Sequence, residues 1–177
     1  MLELLQNFLQ PVLDFVPRVS HRPAANEFCV VDGPLGVRET KWPVLHAPIL
    51  THVEYYPINP VAVDLEIQTL TTADPVELTL NATTTIVVED PISLRMQCGS
   101  DHWVAIAAVA MRAEISRLAV ENTKEHFVEL IRSGELEEAI SQKLFSETRG
   151  SLSVNSFAVE DCAATSSFRL YGVTGVV

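Results

Sequence analysis

Residues 61–88 have the sequence VAVDLEIQTLTTADPVELTLNATTTIVV, in which apolar and polar side chains alternate before and after a central turn. Ala73-Asp74-Pro75 carries the turn chemistry, and the run from Val76 to Val88 keeps a period of two. A period of two places the apolar side chains on one face of a strand. The stretch therefore predicts two successive strands that pair antiparallel, with one face of their sheet covered.

The chain before this stretch predicts a short hairpin. Residues 28–31 (FCVV) form an apolar strand, and Asp32-Gly33-Pro34 after it is typical of a turn. Residues 35–40 can return as the partner strand. After residues 61–88, Asp90-Pro91 is expected to end the sheet.

From Asp101 onward the period is helical, and three helices are expected. The second follows a capping box of Asn122 and Glu125, and Gly134 separates it from the third. The inward side chains are expected to be Val104, Ala108, Met111, Ile115 and Leu118, then Phe127, Leu130 and Ile131, then Leu136, Ile140 and Leu144. A closing strand is expected over residues 152–159. Strands, then helices, then a closing strand predict an α+β fold.

Residues 1–16 (MLELLQNFLQPVLDFV) form an apolar leading segment with helical spacing, in which Pro11 is expected to kink or split the helix. The segment is too short and too polar to span a bilayer. Its candidate membrane or partner contacts are Leu2, Leu5, Phe8, Leu9, Val12, Leu13, Phe15 and Val16.

Two hypotheses for this leading segment stay open. It can pack on its own domain or a neighbouring subunit, or it can insert shallowly in a bilayer interface. Glu3, Asp14 and the lack of Lys or Arg weaken the membrane hypothesis. The predicted organisation is a leading helix (1–17), a linker (18–26) and one domain (27–177), made of a sheet lobe (27–98) and a helical lobe with the closing strand (99–177).

The charge excludes some classes of partner. Lys and Arg total 12 against 23 acidic residues, a formal net charge of −11. Nucleic acid is bound by clustered Lys and Arg, so we expect no nucleic-acid partner. The same sign argues against a purely electrostatic attachment to anionic lipid.

No catalytic residue, metal site or cofactor is expected. His46 and His52 lie six residues apart, and His126 and Glu129 could share a helix face, but neither pair has further convergent ligands. The three isolated cysteines predict neither a disulfide framework nor a zinc site, and they fit a reducing compartment as small buried side chains. These are Cys29, Cys98 and Cys162.

Six phrases follow one another along the chain: GPLGV (33–37), WPVLHAP (42–48), QTLTTAD (68–74), VEDP (88–91), MRAEI (111–115) and LSVNSFAVED (152–161). In this order and at this spacing they resemble the SPFH, or band 7, domain of stomatins, prohibitins and flotillins, from about Glu27 to Gly172. The Leu-Thr-Thr-x-Asp run is the best of them. Val44 stands where the family has glycine, and the long coiled coil of prohibitins and flotillins does not follow the matching region in these residues.

The resemblance implies a non-catalytic scaffold that homo-oligomerises into a ring or cage and lies on the cytoplasmic side of a membrane, peripherally attached through its N-terminal helix. Residues 1–16 would contact lipid in that case. The alternative is a structural ring or decoration component of a larger particle, such as a bacteriophage virion, in which residues 1–16 dock on a neighbouring structural protein. An accessory role for a membrane protease is a third option.

Overall fold

The computed structural model describes residues 20–21, 23–34, 36–40, 44–45, 51–66, 68–98 and 102–164. These residues form an α+β fold of two antiparallel sheets and four helices, which confirms the predicted fold class. The predicted N-terminal helix, with its apolar contacts from Leu2 to Val16, lies outside the described residues, as do Trp42, His46 and the last 13 residues.

The strands are β1 (Ser20–His21), β2 (Glu27–Gly33), β3 (Gly36–Thr40), β4 (Val44–Leu45), β5 (His52–Pro57), β6 (Val61–Asp64), β7 (Gln68–Thr71), β8 (Glu77–Val88) and β9 (Leu152–Ala164). The helices are α1 (Pro91–Cys98), α2 (Trp103–Glu121), α3 (Lys124–Ser133) and α4 (Glu135–Glu147). None of these helices is long and apolar enough to cross a membrane.

The first sheet has the order β3-β2-β5 and contains the predicted hairpin, with Val31 paired to Arg38. Its third strand, β5, was missed from the sequence, although residues 52–56 (HVEYY) alternate and bury Glu54 and Tyr56 on one face. Strands β1 and β4 form a separate two-stranded pair.

The second sheet is built around β8, whose even-numbered side chains from Leu78 to Val88 are buried, as the alternation predicts. β6 and β7 follow one another along one side of β8, and both pair with it antiparallel. The strand predicted from Val61 through residue 68 is therefore broken. Glu66 has a positive φ of 55°, and its N–H donates to Asp64 Oδ1 at 2.8 Å in a local turn.

The other side of β8 carries β9, which is longer than the predicted closing strand. Its apolar residues do not keep one alternating phase, and the register with β8 shifts twice, at Asn155 and at Glu160. Each shift is a bulge that inserts one residue, so the next apolar side chain returns to the helix-covered face. Asn81 Nδ2 donates to Glu160 Oε2 at 2.8 Å across one bulge.

Helix α1 was not predicted, because Asp90-Pro91 was interpreted only as the end of the sheet. Asp90 Oδ1 accepts hydrogen bonds from the N–H groups of Ile92 and Ser93, each at 3.0 Å, and thus caps the helix. Proline is favoured at the first helical position, where its missing N–H has no partner to lose.

The inward residues of the other helices agree closely with the prediction, with Leu136, Ile140 and Leu144 buried on α4. The capping box at Asn122 is corrected. Asn122 is the C-cap of α2, and Thr123 caps α3, accepting from the N–H of His126 at 3.4 Å. Gly134, with φ of 83°, separates α3 from α4, as predicted.

Two helices cover one face of the second sheet, with α2 over β6 and β7 and α4 over β9, whereas α1 contacts β2 and β3 of the first sheet. One apolar core joins this sheet and the helices to Val30 and Tyr56 of the first sheet. Cys29 and Val31 form a smaller cluster with Val53 and Tyr55 on the opposite face of the first sheet.

Candidate assembly surface

Helix α2 is apolar on two sides. Its inner side is buried and includes Met111 and Ile115, whereas its outer side exposes Ile106 and Val109, the latter by 63%. The first nine residues of α2 (103–111) are all apolar, and a helical stretch that is apolar all round is normally covered all round. By contrast, α3 is amphipathic and buries only Phe127 fully.

The outer side of α2 faces α4 across a groove of about 610 Å³, here called the α2–α4 groove. The groove is lined by His102, Ala105, Ile106, Val109, Ala110, Ala113, Lys143 and Glu147. Its alanines leave room for the backbone of an incoming segment, and its larger apolar side chains offer contact area. At the rim, Lys143 Nζ bonds to Glu147 Oε1 at 2.7 Å.

A second hollow of about 430 Å³ adjoins the groove and shares Ile106 and Glu147 with it. It is lined by Leu94, Met96, Gln97, Cys98, Trp103, Ile106, Glu147, Thr148, Arg149 and Leu152. Gln97 Nε2 donates to the carbonyl of Thr148 at 3.0 Å, which ties α1 to the end of α4. Burial raises the pKa of the Cys98 thiol, so this cysteine stays protonated and is a poor nucleophile.

The opposite side of α4 has a different character. A hollow of about 420 Å³ there is lined by Gly134, Glu137, Glu138, Ser141, Gln142 and Val154. Two carboxylates and no basic side chain line it. An acidic hollow on a chain of net charge −11 repels other acidic surfaces, whereas the lining of the α2–α4 groove is mostly apolar.

A buried polar cluster joins α1 to the first sheet. Glu54 is 8% exposed, and its carboxylate accepts a hydrogen bond from Tyr56 Oη at 2.8 Å. Arg95 Nε lies 3.0 Å from Glu54 Oε1, near enough for an ion pair but not aligned as a hydrogen bond. Burial, and then the bond to Glu54, raise the pKa of the Tyr56 hydroxyl, which therefore acts as a hydrogen-bond donor.

The sequence-predicted candidates are distributed as follows. His52 Nε2 lies 2.9 Å from Glu54 Oε1, and this exposed side chain contacts the buried polar cluster from the solvent side. No group of three or more potential metal ligands occurs among the described residues. Cys29 is buried, whereas Cys98 and Cys162 are half-buried. The groove itself was missed, although the apolar residues at 105, 106, 109, 110 and 113 signalled a second apolar face on α2.

Comparison with protein-family models finds no match for this chain. A search of curated proteins finds no match either.

Proposed function

We propose that this chain is a non-catalytic scaffold of the SPFH/band 7 type that assembles with copies of itself into a ring or cage. The α2–α4 groove carries the proposal, because an apolar surface beside small side chains is what a protein contact needs. The order of the elements, from strands to helices to a closing strand, is the order that the family resemblance implies.

The charge of the chain sets the character of the contact. A net charge of −11 per copy opposes self-association, so burial of apolar surface has to supply the attraction. At 0.1 M, salt screens the repulsion between charges that lie more than about 10 Å apart. It leaves the apolar attraction intact. Assembly is therefore expected to strengthen as salt is raised.

The place of the assembly is part of the same proposal. A ring peripheral to the cytoplasmic side of a membrane, held by residues 1–16, is the first possibility, and a ring within a larger particle such as a virion is the second. Weak single contacts become strong in a ring through avidity, which supports either role for a domain of this size.

Mass photometry of the purified full-length protein, in buffer and with lipid vesicles, tests the proposal. We expect oligomers of defined mass, more abundant at 0.5 M than at 0.05 M NaCl. Rings only on vesicles favour the membrane scaffold, and rings in plain buffer favour the particle component. Val109→Glu is expected to shift the oligomers to monomer, because it places a charge in the apolar contact.

Val120→Glu is the matched control. Val120 lies on the same helix and is 61% exposed, close to the 63% of Val109, but it does not line the groove. It should leave the oligomer mass unchanged. A wild-type protein that stays monomeric with and without vesicles at both salt concentrations would refute the scaffold.

A further inference from the structure

We propose that the N-terminal arm (residues 2–16) of a neighbouring copy binds in the α2–α4 groove through residues 2–10, so that each copy is joined to the next by this arm. The inference rests on the proposed scaffold function and names the partner of its contact surface. It assigns the leading segment to protein rather than to lipid, and so it favours the second of the two places proposed above, a ring within a larger particle.

The apolar spacing of the arm's sequence suits the length of the groove. The apolar residues of the arm recur at helical spacing, as at Leu2, Leu5 and Leu9, which is the pattern of a helix that lies in a groove. The α2 face from His102 to Ala113 is roughly 17 Å long at 1.5 Å per residue, about the length of an 11-residue helix. The nine residues before Pro11 fit within that length.

The alanines of the groove favour a helix over a second bulky surface. Ala105, Ala110 and Ala113 have small side chains, so the outer face of α2 is shallow at these positions. Ile106 and Val109 project between them. Large side chains such as leucine and phenylalanine can pack over the alanines, while the two larger groove residues enter the gaps of the arm. The arm supplies large side chains and the groove supplies small ones.

The charges also match. The arm carries Glu3 and Asp14 and no Lys or Arg. The rim of the groove carries the Lys143–Glu147 ion pair, and the adjoining hollow adds the cation of Arg149. An acidic arm meets no excess of negative charge at this rim, whereas the Glu137 and Glu138 hollow on the other side of α4 would repel it.

The same composition disfavours lipid. Helices that lie in a bilayer interface are usually rich in Lys and Arg on their polar face, which binds anionic headgroups. The acidic residues of the arm would be repelled by an anionic membrane surface. A groove of its own protein, bordered by Lys143, requires no basic face on the arm.

Exchange of arms between copies also gives the geometry of a ring. The arm and the groove are different parts of the chain, so the proposed contact is head-to-tail and closes into a ring when the rotation allows. Filling the groove within one copy would leave nothing to join the copies.

Photo-crosslinking of the full-length protein tests the inference. A benzoylphenylalanine replaces Leu9, the sample is irradiated, and the products are separated on a denaturing gel and mapped by mass spectrometry. We expect a covalent dimer joined to α2 or α4 peptides that line the groove. Val109→Glu should lower the dimer yield about tenfold or more, and Val120→Glu should not change it.

A second probe position and a second variant complete the design. Benzoylphenylalanine at Asn7, on the polar side of the arm, should give much less dimer than at Leu9. Leu5→Glu combined with Leu9→Glu should reduce the oligomer to monomer in mass photometry, as Val109→Glu does.

The outcomes separate the inference from the proposed function. Oligomers that persist in the double-glutamate variant, or crosslinks that map outside the groove, overturn the inference and leave the scaffold standing. Crosslinks confined within one copy also overturn it. Crosslinks to lipid alone in vesicles of phosphatidylcholine and phosphatidylglycerol assign the arm to the membrane and overturn it as well.

Discussion

At the scale of single residues, Glu54 determines how α1 is held against the first sheet. Its buried carboxylate accepts from Tyr56, contacts His52 and pairs with Arg95 of α1. Asp32 of β2 adds a longer contact to Arg95 at 3.7 Å. A buried carboxylate is tolerated only when such partners replace water, and the ion pair with Arg95 depends on the charge of Glu54.

Replacing Glu54 by glutamine tests this account. The amide retains the size of the side chain but leaves Arg95 without its nearest countercharge, so we expect a loss of roughly 2–4 kcal/mol in the free energy of unfolding. Urea unfolding followed by circular dichroism measures the change. Glu39→Gln, at an exposed position of β3, should change stability by less than about 0.5 kcal/mol. Equal effects of the two substitutions would contradict this role for Glu54.

At the scale of elements, the turn between β7 and β8 stabilises the start of α3. Asp74 Oδ1 accepts from the N–H of Lys124 at 3.0 Å and from Thr72 Oγ1, and the N–H of Ala73 donates to the carbonyl of Asn122 at 2.9 Å. The turn and the helix are 50 residues apart. The Leu-Thr-Thr-x-Asp run (residues 70–74) therefore caps a helix that is distant in the chain. Asp74 accepts from the first N–H of that helix, and Thr72 donates to Asp74.

The pH dependence of Asp74→Asn tests the cap. The hydrogen bond from Thr72, followed by that from Lys124, lowers the pKa of Asp74 below 3.8. A carboxyl whose pKa is lowered by folding adds stability above its unfolded pKa and loses that contribution as pH falls through its folded pKa. The wild type should therefore unfold at higher urea concentration than Asp74→Asn at pH 7.

This difference should close as the pH falls below 3.8. Glu129→Gln, at an exposed position on α3, serves as the control and should show no such pH-dependent gap. A gap between the wild type and Asp74→Asn that stays the same from pH 7 to pH 2 would show that the charge of Asp74 does not act as a cap.

At the scale of the whole molecule, a continuous core couples the two sheets. Val30 and Tyr56 of the first sheet pack in the same buried cluster as Leu152 of β9 and Leu144 of α4. A core shared in this way should unfold in one cooperative step, because exposing one part removes the packing of the other.

Leu144→Ala tests this coupling. We expect a loss of about 2–5 kcal/mol in unfolding free energy, because the side chain is fully buried and a cavity remains. Hydrogen exchange of the buried amides of β2 and β5 should quicken in proportion, although these strands lie in the other sheet. Measurements at one protein concentration keep any contribution of assembly fixed.

Gln142→Ala, at an exposed position on the same helix, should leave exchange in β2 and β5 unchanged. Unaltered exchange in β2 on Leu144→Ala, with faster exchange confined to the helices and the second sheet, would indicate two separate folding units.

The sequence by itself determined the elements whose evidence is local. The alternation from Val76 to Val88 predicts β8 and its buried face, and helical spacing predicts the inward residues of α4. Both predictions hold because the period of the apolar residues indicates which face of an element is buried. Asp90-Pro91 and residues 52–56 also contained local signals, a helix start and a strand, that were missed.

The tertiary structure decided what depends on residues far apart in the chain. It breaks the strand at Glu66, inserts the two bulges of β9 and places Asp74 at the start of α3. It also brings α2 and α4 to either side of the groove. The spacing of apolar side chains indicates which face of a single element is buried. These features depend instead on how two elements pack against each other, and the spacing within either element does not determine that packing.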